Sequence, residues 1–453
     1  MIKLPLLTDT KREFYDLEGD MNYLWDDEIP RRQYPALKGD RKTDVLIIGG
    51  GMAGVLCAYR LKELGVDCLL AEGGRIGNGI TRGTTAVLSA QHDKLYLDIV
   101  RQFGEAKAKQ YLEANLRAVR RYRKLAEKYP CDWEEKPSYM YTHGDTEKLR
   151  QEAKTVARLG FPAEFVRETP LPFPVAGAVR YPEMAQFHPL KFLLGISEDL
   201  PILEHTFIRE IKGTTAIADE GSIEAKKIIV ATHFPILNRK GLYFMKLYQK
   251  RSFVVALERA EDVQGTYVGT AESSMYLRNY KDLLLVGGGD HRTGKNGGGF
   301  DAVHEFIQKH FPDAVERYAW AAQDCMSLDE IPYIGRYSPS APDLYVASGF
   351  NEWGMSSSMA AAEILGDLIC NGQSAYAPVF SPDRSMMRAQ LFKNMGETLI
   401  DFMFPTFRRC SHLGCALKWN PSEHTWDCPC HGSRFSEQGG VMDNPAMKDI
   451  FRS

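Results

Sequence analysis

Residues Asp44 to Ile48 form a short, almost wholly apolar run, the pattern of a strand buried on both faces in a parallel sheet. Apolar residues then recur at helical spacing through Val55, Leu56, Ala58, Leu61 and Leu64, and the pattern stops at Gly65. A second strand-like run, Asp67 to Ala71, ends at Glu72. Residues 95–130 read as one helix, with Leu97, Val100, Phe103, Tyr111, Leu112, Val119 and Leu125 as its apolar positions. Residues 131–225 and 246–330 alternate strand-like runs with turns and predict an antiparallel sheet. Lys227 to Thr232 and Leu344 to Ser348 are further strands, and a small-residue helix starts at Ser356. Residues 386–403 carry Leu391, Met395, Leu399 and Met403 at i,i+4 spacing, with Phe392 and Phe402 nearby. This is a helix with one apolar stripe, expected to pack against the preceding domain and not to lie on a membrane. Pro405 ends it.

Between the first strand and the first helix lies Gly49-Gly50-Gly51-Met52-Ala53-Gly54, which fits Gly-x-Gly-x-x-Gly. Gly49 permits a tight turn, and Gly51 lets backbone approach a pyrophosphate. Gly54 lets helix and strand pack closely, and the helix N-terminus faces the phosphates. Glu72 lies where a carboxylate bonds a ribose hydroxyl, which disfavours a 2′-phosphate and so NADP. A lone glycine fingerprint is weak. Here the strand, the helix and the acid are all in place. A second candidate, the strand Leu283 to Val286 followed by Gly287-Gly288-Gly289, fails: its third glycine falls on Arg292, and Gly294 to Gly299 reads as a loop. The chain therefore does not read as a two-nucleotide pyridine reductase.

Composition narrows the class. The 453 residues exceed what one compact core usually serves. Net charge is −3, from 56 basic and 59 acidic residues, which gives no case for nucleic acid or an anionic membrane. No apolar run reaches transmembrane length, and Met1 to Asp20 lacks the apolar core of a signal peptide. Four of the nine cysteines sit in the last 45 residues, while Cys57, Cys68, Cys131, Cys325 and Cys370 are scattered. That distribution suits a cytoplasmic protein with one local cysteine site. No Ser/His/Asp triad, P-loop or internal repeat is present.

The local site is Cys410-x-His412 and Cys428-x-x-His431, fifteen residues apart, each followed or interrupted by a further cysteine, Cys415 and Cys430. Two Cys and two His serve either a structural zinc or a Rieske [2Fe–2S] centre, in which two imidazoles replace two thiolates on one iron. Zinc sites usually pair Cys with Cys and His with His. Mixed pairs suit a cluster with one Cys-bound and one His-bound iron. Zinc leaves Cys415 and Cys430 unexplained.

Two resemblances follow. Cys410-Ser411-His412-Leu413-Gly414-Cys415 and Cys428-Pro429-Cys430-His431-Gly432-Ser433 resemble the two cluster-binding loops of Rieske proteins almost residue for residue. The resemblance implies Cys410, His412, Cys428 and His431 as ligands and a Cys415–Cys430 disulfide tying the loops. It makes Ser433 a donor to a bridging sulfide. It also places Phe435 where the family often has tyrosine, so the potential is expected in the lower part of the Rieske range. Several strands precede the first loop in related chains. Here the linker helix runs almost into Cys410, so the module is shortened and expected to lean on its neighbour. The long small-residue loop Gly73 to Ala86, including Thr84 and Thr85, resembles the loop over the flavin in the D-amino-acid oxidase and glycine oxidase superfamily. Ala231-Thr232-His233, Pro332-Tyr333-Ile334-Gly335, and Gly349-Phe350 with Trp353-Gly354-Met355 extend the likeness. It implies FAD held by Gly49, Gly51, Met52, Ala53, Gly54, Glu72, Thr84, Thr85, Ala231, Gly349, Gly354 and Met355. The helix starting near Ser356 would face the flavin and stabilise negative charge on it.

The expected architecture is α/β and α+β: a Rossmann-like FAD-binding domain, an antiparallel-sheet substrate domain, and a small, shortened β-rich Rieske segment. Its expected divisions are an extension over 1–40, an oxidoreductase over 41–384, a linker helix over 385–405 and the Rieske segment over 406–453. Within the oxidoreductase, FAD binding takes 41–95, 185–245 and 325–384, and the substrate domain takes mainly 96–184 and 246–324. Such enzymes need few catalytic groups, because the flavin accepts the hydride. His92, His233, Arg278, His291 and Trp353 are the pocket candidates, each weighed against an ordinary packing role. His188, before Pro189, reads as a helix-entry residue. Amino-acid oxidases hold a carboxylate with an arginine near the stretch Gln323-Asp324-Cys325-Met326. Asp324 would repel a carboxylate, so a cationic amine fits better. Cys325 falls near the position where some sarcosine oxidases attach flavin covalently. The expected activity is an FAD-dependent dehydrogenase. It would oxidise a small amine-type substrate and pass electrons from FAD through the cluster to an external one-electron carrier. The rivals are the reverse flow, from a reduced partner through the cluster to FAD, and a redox-sensing or relay protein with a closed pocket.

Overall fold

The computed structural model describes residues 22–26, 29–237, 240–270 and 275–450. Strand β1 (Arg41–Ile48), helix α1 (Met52–Glu63) and strand β2 (Cys68–Ala71) form the expected opening unit. β1 pairs in parallel with β2 on one side and with β3 (Gly221–Val230) on the other. All three are fully or nearly buried at their C-terminal ends, which is why they read as apolar runs and not as alternations. Ile202–Leu203 extends this sheet beyond β2, and Glu210–Lys212 and Thr215–Ala218 extend it at the far edge.

A second eight-stranded sheet carries β4 (Leu247–Glu258), β5 (Leu283–Arg292) and β6 (Val315–Ser327), with β4 at the centre of the three. All its pairings are antiparallel except Thr266–Gly269 against Ser138–Thr142, which is parallel. From β6 the chain returns to the first sheet, where β7 (Ala341–Ser348) pairs in parallel with β3. Helix α2 (Gly354–Asn371) follows β7. After helix α3 (Ala389–Met403), four short strands, Lys418–Asn420, Thr425–Asp427, Arg434–Ser436 and Val441–Asp443, form an antiparallel sheet in sequence order. Among the described residues no helix is long and apolar enough to cross a membrane.

Two expectations change, and one rejection stands. The helix over 95–130 is two helices, Tyr96–Phe103 and Glu105–Ala126, broken at Gly104, whose φ of 86° no continuous right-handed helix tolerates. The stretch around Gly287 to Gly289, rejected from sequence as a nucleotide turn, runs inside β5. The apolar stripe of α3 is not packed away. Leu391 is 5% exposed, but Phe392, Met395, Leu399 and Met403 are 59%, 49%, 61% and 72% exposed. The helix is held instead by polar side chains. Asn394 accepts from Arg292, Glu397 pairs with Lys295, and Asp401 pairs with Lys418.

Candidate functional site

The turn after β1 is shaped by contacts that only glycine allows. Gly49 has φ of 108°, and a Cβ there would lie 2.5 Å from Ala231 O. A Cβ on Gly54 would lie 1.8 Å from Gly49 O. Both carboxylate oxygens of Glu72 accept backbone amides, from Gly50 N at 2.6 Å and Gly74 N at 2.7 Å. The acid therefore braces the glycine turn directly, and burial raises its pKa. Gly49, Gly51, Met52, Ala53, Glu72, Thr84, Thr85, Ala231, Gly349, Gly354 and Met355 all line one cavity of about 2300 Å³.

The loop that roofs this cavity is tied down from behind. Trp320 Nε1 donates to Gly83 O, Trp25 Nε1 to Thr84 O, and Arg278 Nη1 to Thr85 O and Ala86 O. Ala86 sits at φ 55°, a conformation these bonds hold in place. Arg278 is 1% exposed and also donates to Asn279 O, so most of its guanidinium is spent on backbone. His92 bridges Tyr111 Oη, at 2.6 Å from Nδ1, and Ser356 Oγ, at 2.9 Å from Nε2. It stacks on Trp353, and burial pushes its pKa down to about 3. With both ring nitrogens engaged, it joins the roof to the first turn of α2. His233 lines the cavity with φ 62°. Its Nε2 is buried without a hydrogen-bond partner, and burial pushes its pKa down to about 4. His291 Nδ1 faces Gly289 O, and its ring stacks on Phe253. His188 caps the helix Pro189–Ser197, its Nδ1 accepting from Lys191 N.

One wall of the cavity is the β4–β6 ladder. Tyr248, Lys250 and Ser252 face in from β4, opposite Met326, Asp324 and Ala322 of β6. Lys250 Nζ lies 3.3 Å from Asp290 and 3.1 Å from Glu352, with Asp324 as its cross-strand neighbour. Asp93, which accepts from Trp353 Nε1, lines the same cavity. Burial, then repulsion from Glu352, pushes Asp290 up to about 7 and Asp324 up to about 8. Asp93 rises to about 7 for the same two reasons. One lysine therefore faces four carboxylates. Cys325 is turned the other way. It is 2% exposed, joins a core with Tyr333, Leu344 and Val346, and has its thiol pushed up to about 12 by burial. The idea of covalent flavin attachment there is corrected: on a pleated strand, Asp324 facing the cavity turns its neighbour away from it.

The two Cys/His loops come together. Cys410, Cys415, Cys428, Cys430 and His431 are all at most 3% exposed. The sulfurs of Cys415, Cys428 and Cys430 lie within 4.8 Å of one another. Cys410 and Cys428 share a side-chain hydrogen bond, and the rings of His412 and His431 are 4.9 Å apart. Burial favours the neutral form of both imidazoles, pushing His412 down to about 3, and the neutral ring is the form that binds metal. His431 Nδ1 is buried without a hydrogen-bond partner, which leaves a ligand atom unspent beside these loops. Ser433 is fully buried; its Oγ accepts from Ala446 N and bonds Cys410. Phe435 is fully buried in the same small core.

Residues 44–368 match the model of the FAD dependent oxidoreductase family, and residues 403–452 match the Rieske [2Fe-2S] domain. The chain belongs to the FAD-dependent oxidoreductase family. FAD and a [2Fe–2S] cluster are its cofactors. It is 32% identical to the "Putative Rieske 2Fe-2S iron-sulfur protein YhfW" of Bacillus subtilis (strain 168), over 94% of this chain and 96% of that one. Among solved structures, it resembles glycine oxidase from Geobacillus kaustophilus with a TM-score of 0.65 and 18% identity, over 76% of this chain and 100% of that one. L-proline dehydrogenase from P. horikoshii gives 0.64 and 19%, over 76% and 98%. At such identities these two show the fold alone.

Several residues of this oxidoreductase's site carry no motif. Trp25 and Trp320 belong to no motif, yet both anchor the loop at Gly83 and Thr84. Lys250, Asp290 and Glu352 come from two strands and a loop, and only the folded sheet brings them to Asp324. The single signal available was Asp324 itself.

Proposed function

We propose that this FAD-dependent oxidoreductase is a dehydrogenase of a small cationic amine, and that its electrons leave singly through the Rieske cluster to an external one-electron carrier. The observation that carries the reading is the ring of Asp93, Asp290, Asp324 and Glu352 around Lys250, in the cavity lined by the dinucleotide turn. Bound FAD supplies two-electron oxidation of a C–N bond, and the cluster supplies a one-electron outlet. The chain's residues do the rest. Gly49, Gly51, Met52, Ala53 and Gly54, with Thr84, Thr85, Ala231, Gly349, Gly354 and Met355, form the flavin cradle. Glu72 braces the turn, and it keeps lone pairs for a ribose hydroxyl. Carboxylates around Lys250 attract and orient a cation and reject a free carboxylate. Cys410, Cys428, His412 and His431 ligate the cluster, Cys415 and Cys430 pair as a disulfide, and Ser433 donates toward the sulfurs. The division into extension, oxidoreductase, linker helix and Rieske segment is part of this reading, as is a cytoplasmic location.

Anaerobic mixing of the holoenzyme with a panel of primary and secondary amines is the test. Bleaching of the flavin followed by the cluster's reduced electron-spin signal is the expected outcome. Bleaching only by reduced ferredoxin would reverse the direction of flow. No response to either would leave a sensing or relay role.

A further inference from the structure

The glycine-rich stretch that fails as a second nucleotide turn has another partner. Gly294 sits at φ 72°, and a Cβ on it would come 2.8 Å from Pro429 N. Gly432, at φ 83°, would place a Cβ 2.4 Å from Gln249 Cβ. One glycine from each side thus lets the second Cys/His loop close onto the oxidoreductase at backbone distance. The contact is filled with hydrogen bonds. Arg292 donates from Nε to Pro429 O and from Nη2 to Cys430 O, both at 2.8 Å. Gln249 Nε2 donates to His431 O at 2.9 Å, and Gln323 Nε2 to Gly432 O at 2.8 Å. Four consecutive carbonyls of the loop are therefore bonded by three side chains from outside the Rieske segment.

Those three side chains are locked to their surroundings. Gln323 Nε2 also donates to Gln249 Oε1, Thr293 Oγ1 donates to Gln323 Oε1, and Arg292 Nη1 donates to Asn394 of α3. Gln249, Thr293 and Gln323 are at most 1% exposed. Lys250 and Asp324, the next residues along β4 and β6, face the cavity. By the pleat, Gln249 and Gln323 point to the opposite face of β4 and β6 from Lys250 and Asp324, whereas Arg292, opposite Lys250 in the ladder, lines the cavity itself. A second approach runs through the turn after β3. Phe234 packs its ring edge-on against His412 and His431, and the two residues before it, Thr232 and His233, line the cavity.

We infer that Gln249, Arg292 and Gln323 are positioning residues forming a fixed seat for the second cluster loop, so that electrons pass between cavity and cluster along a short, rigid path without any excursion of the Rieske segment. The inference rests on the reading that flavin and cluster exchange electrons. Each crossing moves one electron from reduced flavin to oxidised cluster. Two crossings, with a one-electron oxidation of the cluster by the external acceptor after each, return both centres to their starting state, and the flavin's protons pass to solvent.

The test uses the full-length holoenzyme with its flavin photoreduced, so no substrate is needed. Arg292→Met and the double variant Gln249→Leu/Gln323→Leu are compared with wild type and with Arg292→Lys. Three quantities are read: hydrogen exchange over residues 428–433, the cluster potential by spin-resonance titration, and the rate of cluster reduction. Both seat variants should expose the loop to exchange and slow the transfer by roughly tenfold or more, the scale on which an ångström of misplacement acts. Arg292→Met should also lower the potential, because a cation beside Cys430 is lost, and Arg292→Lys should restore the potential more than the rate. Wild-type transfer should not depend on solvent viscosity. A wild-type rate that falls in proportion to viscosity, or variants with an exposed loop and an unchanged rate, overturns the seat alone. This viscosity measurement decides the matter if the variants lose their cluster. No cluster reduction in wild type overturns both the seat and the electron-transfer reading.

Discussion

Asp324 shows how far one residue's chemistry reaches. Its carboxyl is raised to about 8 by burial and by Glu352 and Asp290, and Asp290 and Asp93 are raised to about 7. These three folded-state values lie above the ordinary carboxylate range, so their protonated forms favour the fold. That stability is present at low pH and is lost as pH rises through 7 to 8. Lys250 stays charged throughout, since Glu352 and Asp290 hold its pKa above normal. The cavity therefore becomes more negative over the same window. Amine affinity should rise between about pH 6 and pH 9 while the melting temperature falls, as titration calorimetry and calorimetric melting at each pH will read. Above pH 8, where Asp324 is ionised, Asp324→Asn removes one charge of the ring. It should weaken amine binding by about tenfold, or about 1.4 kcal/mol, and should raise the melting temperature by relieving repulsion. Unchanged affinity would remove the acidic ring from substrate binding. At the cluster, Phe435 is buried among the cysteines without a hydroxyl to offer. Phe435→Tyr should raise the cluster potential and Ser433→Ala should lower it, both read by redox titration.

Elements explain why the Rieske segment can be short. Its four small strands enclose a core of few apolar residues, and Arg434 is fully buried within it, paired with Glu423, Asp427 and Asp443. Glu423 also pairs with Arg251 of β4, itself 1% exposed. The segment therefore borrows a buried cation from the neighbouring sheet. Arg251→Met strips one partner from a buried carboxylate and should cost about 3–5 kcal/mol, seen as early unfolding of residues 406–450 in hydrogen exchange. Loss of the whole fold at once would instead mean that the two parts unfold as a single cooperative unit. Helix α3 is the converse case. Its i,i+4 pattern was legible in sequence, but periodicity cannot say which stripe faces inward. Polar contacts to Arg292, Lys295 and Lys418 turn Phe392, Met395 and Leu399 outward.

At the scale of the whole molecule, the cofactor complement is the simplest thing to measure. Purified anaerobically, the protein should hold two irons and two acid-labile sulfides with one FAD, and no stoichiometric zinc. Thiol titration of the denatured, unreduced protein should find two fewer thiols than after reduction, from Cys415 and Cys430. Equal counts would remove the disulfide. Much of this was readable beforehand, because the glycine turn and the Cys/His pairs are local. Their chemistry is set by residues a few positions apart, and a close backbone approach or a ligand set leaves the same signature wherever it occurs. The sequence by itself determined both cofactors, the strand–helix–strand opening and the shortness of the cluster segment. Only the tertiary structure decided that Lys250, Asp290, Asp324 and Glu352 share a cavity, that Cys325 points away from it, and that Gln249, Arg292 and Gln323 meet the second cluster loop. Those contacts join residues up to 182 positions apart, such as Gln249 and His431. No periodicity along the chain records them, because strand pairing and sheet-face orientation are set by the packing of the whole fold.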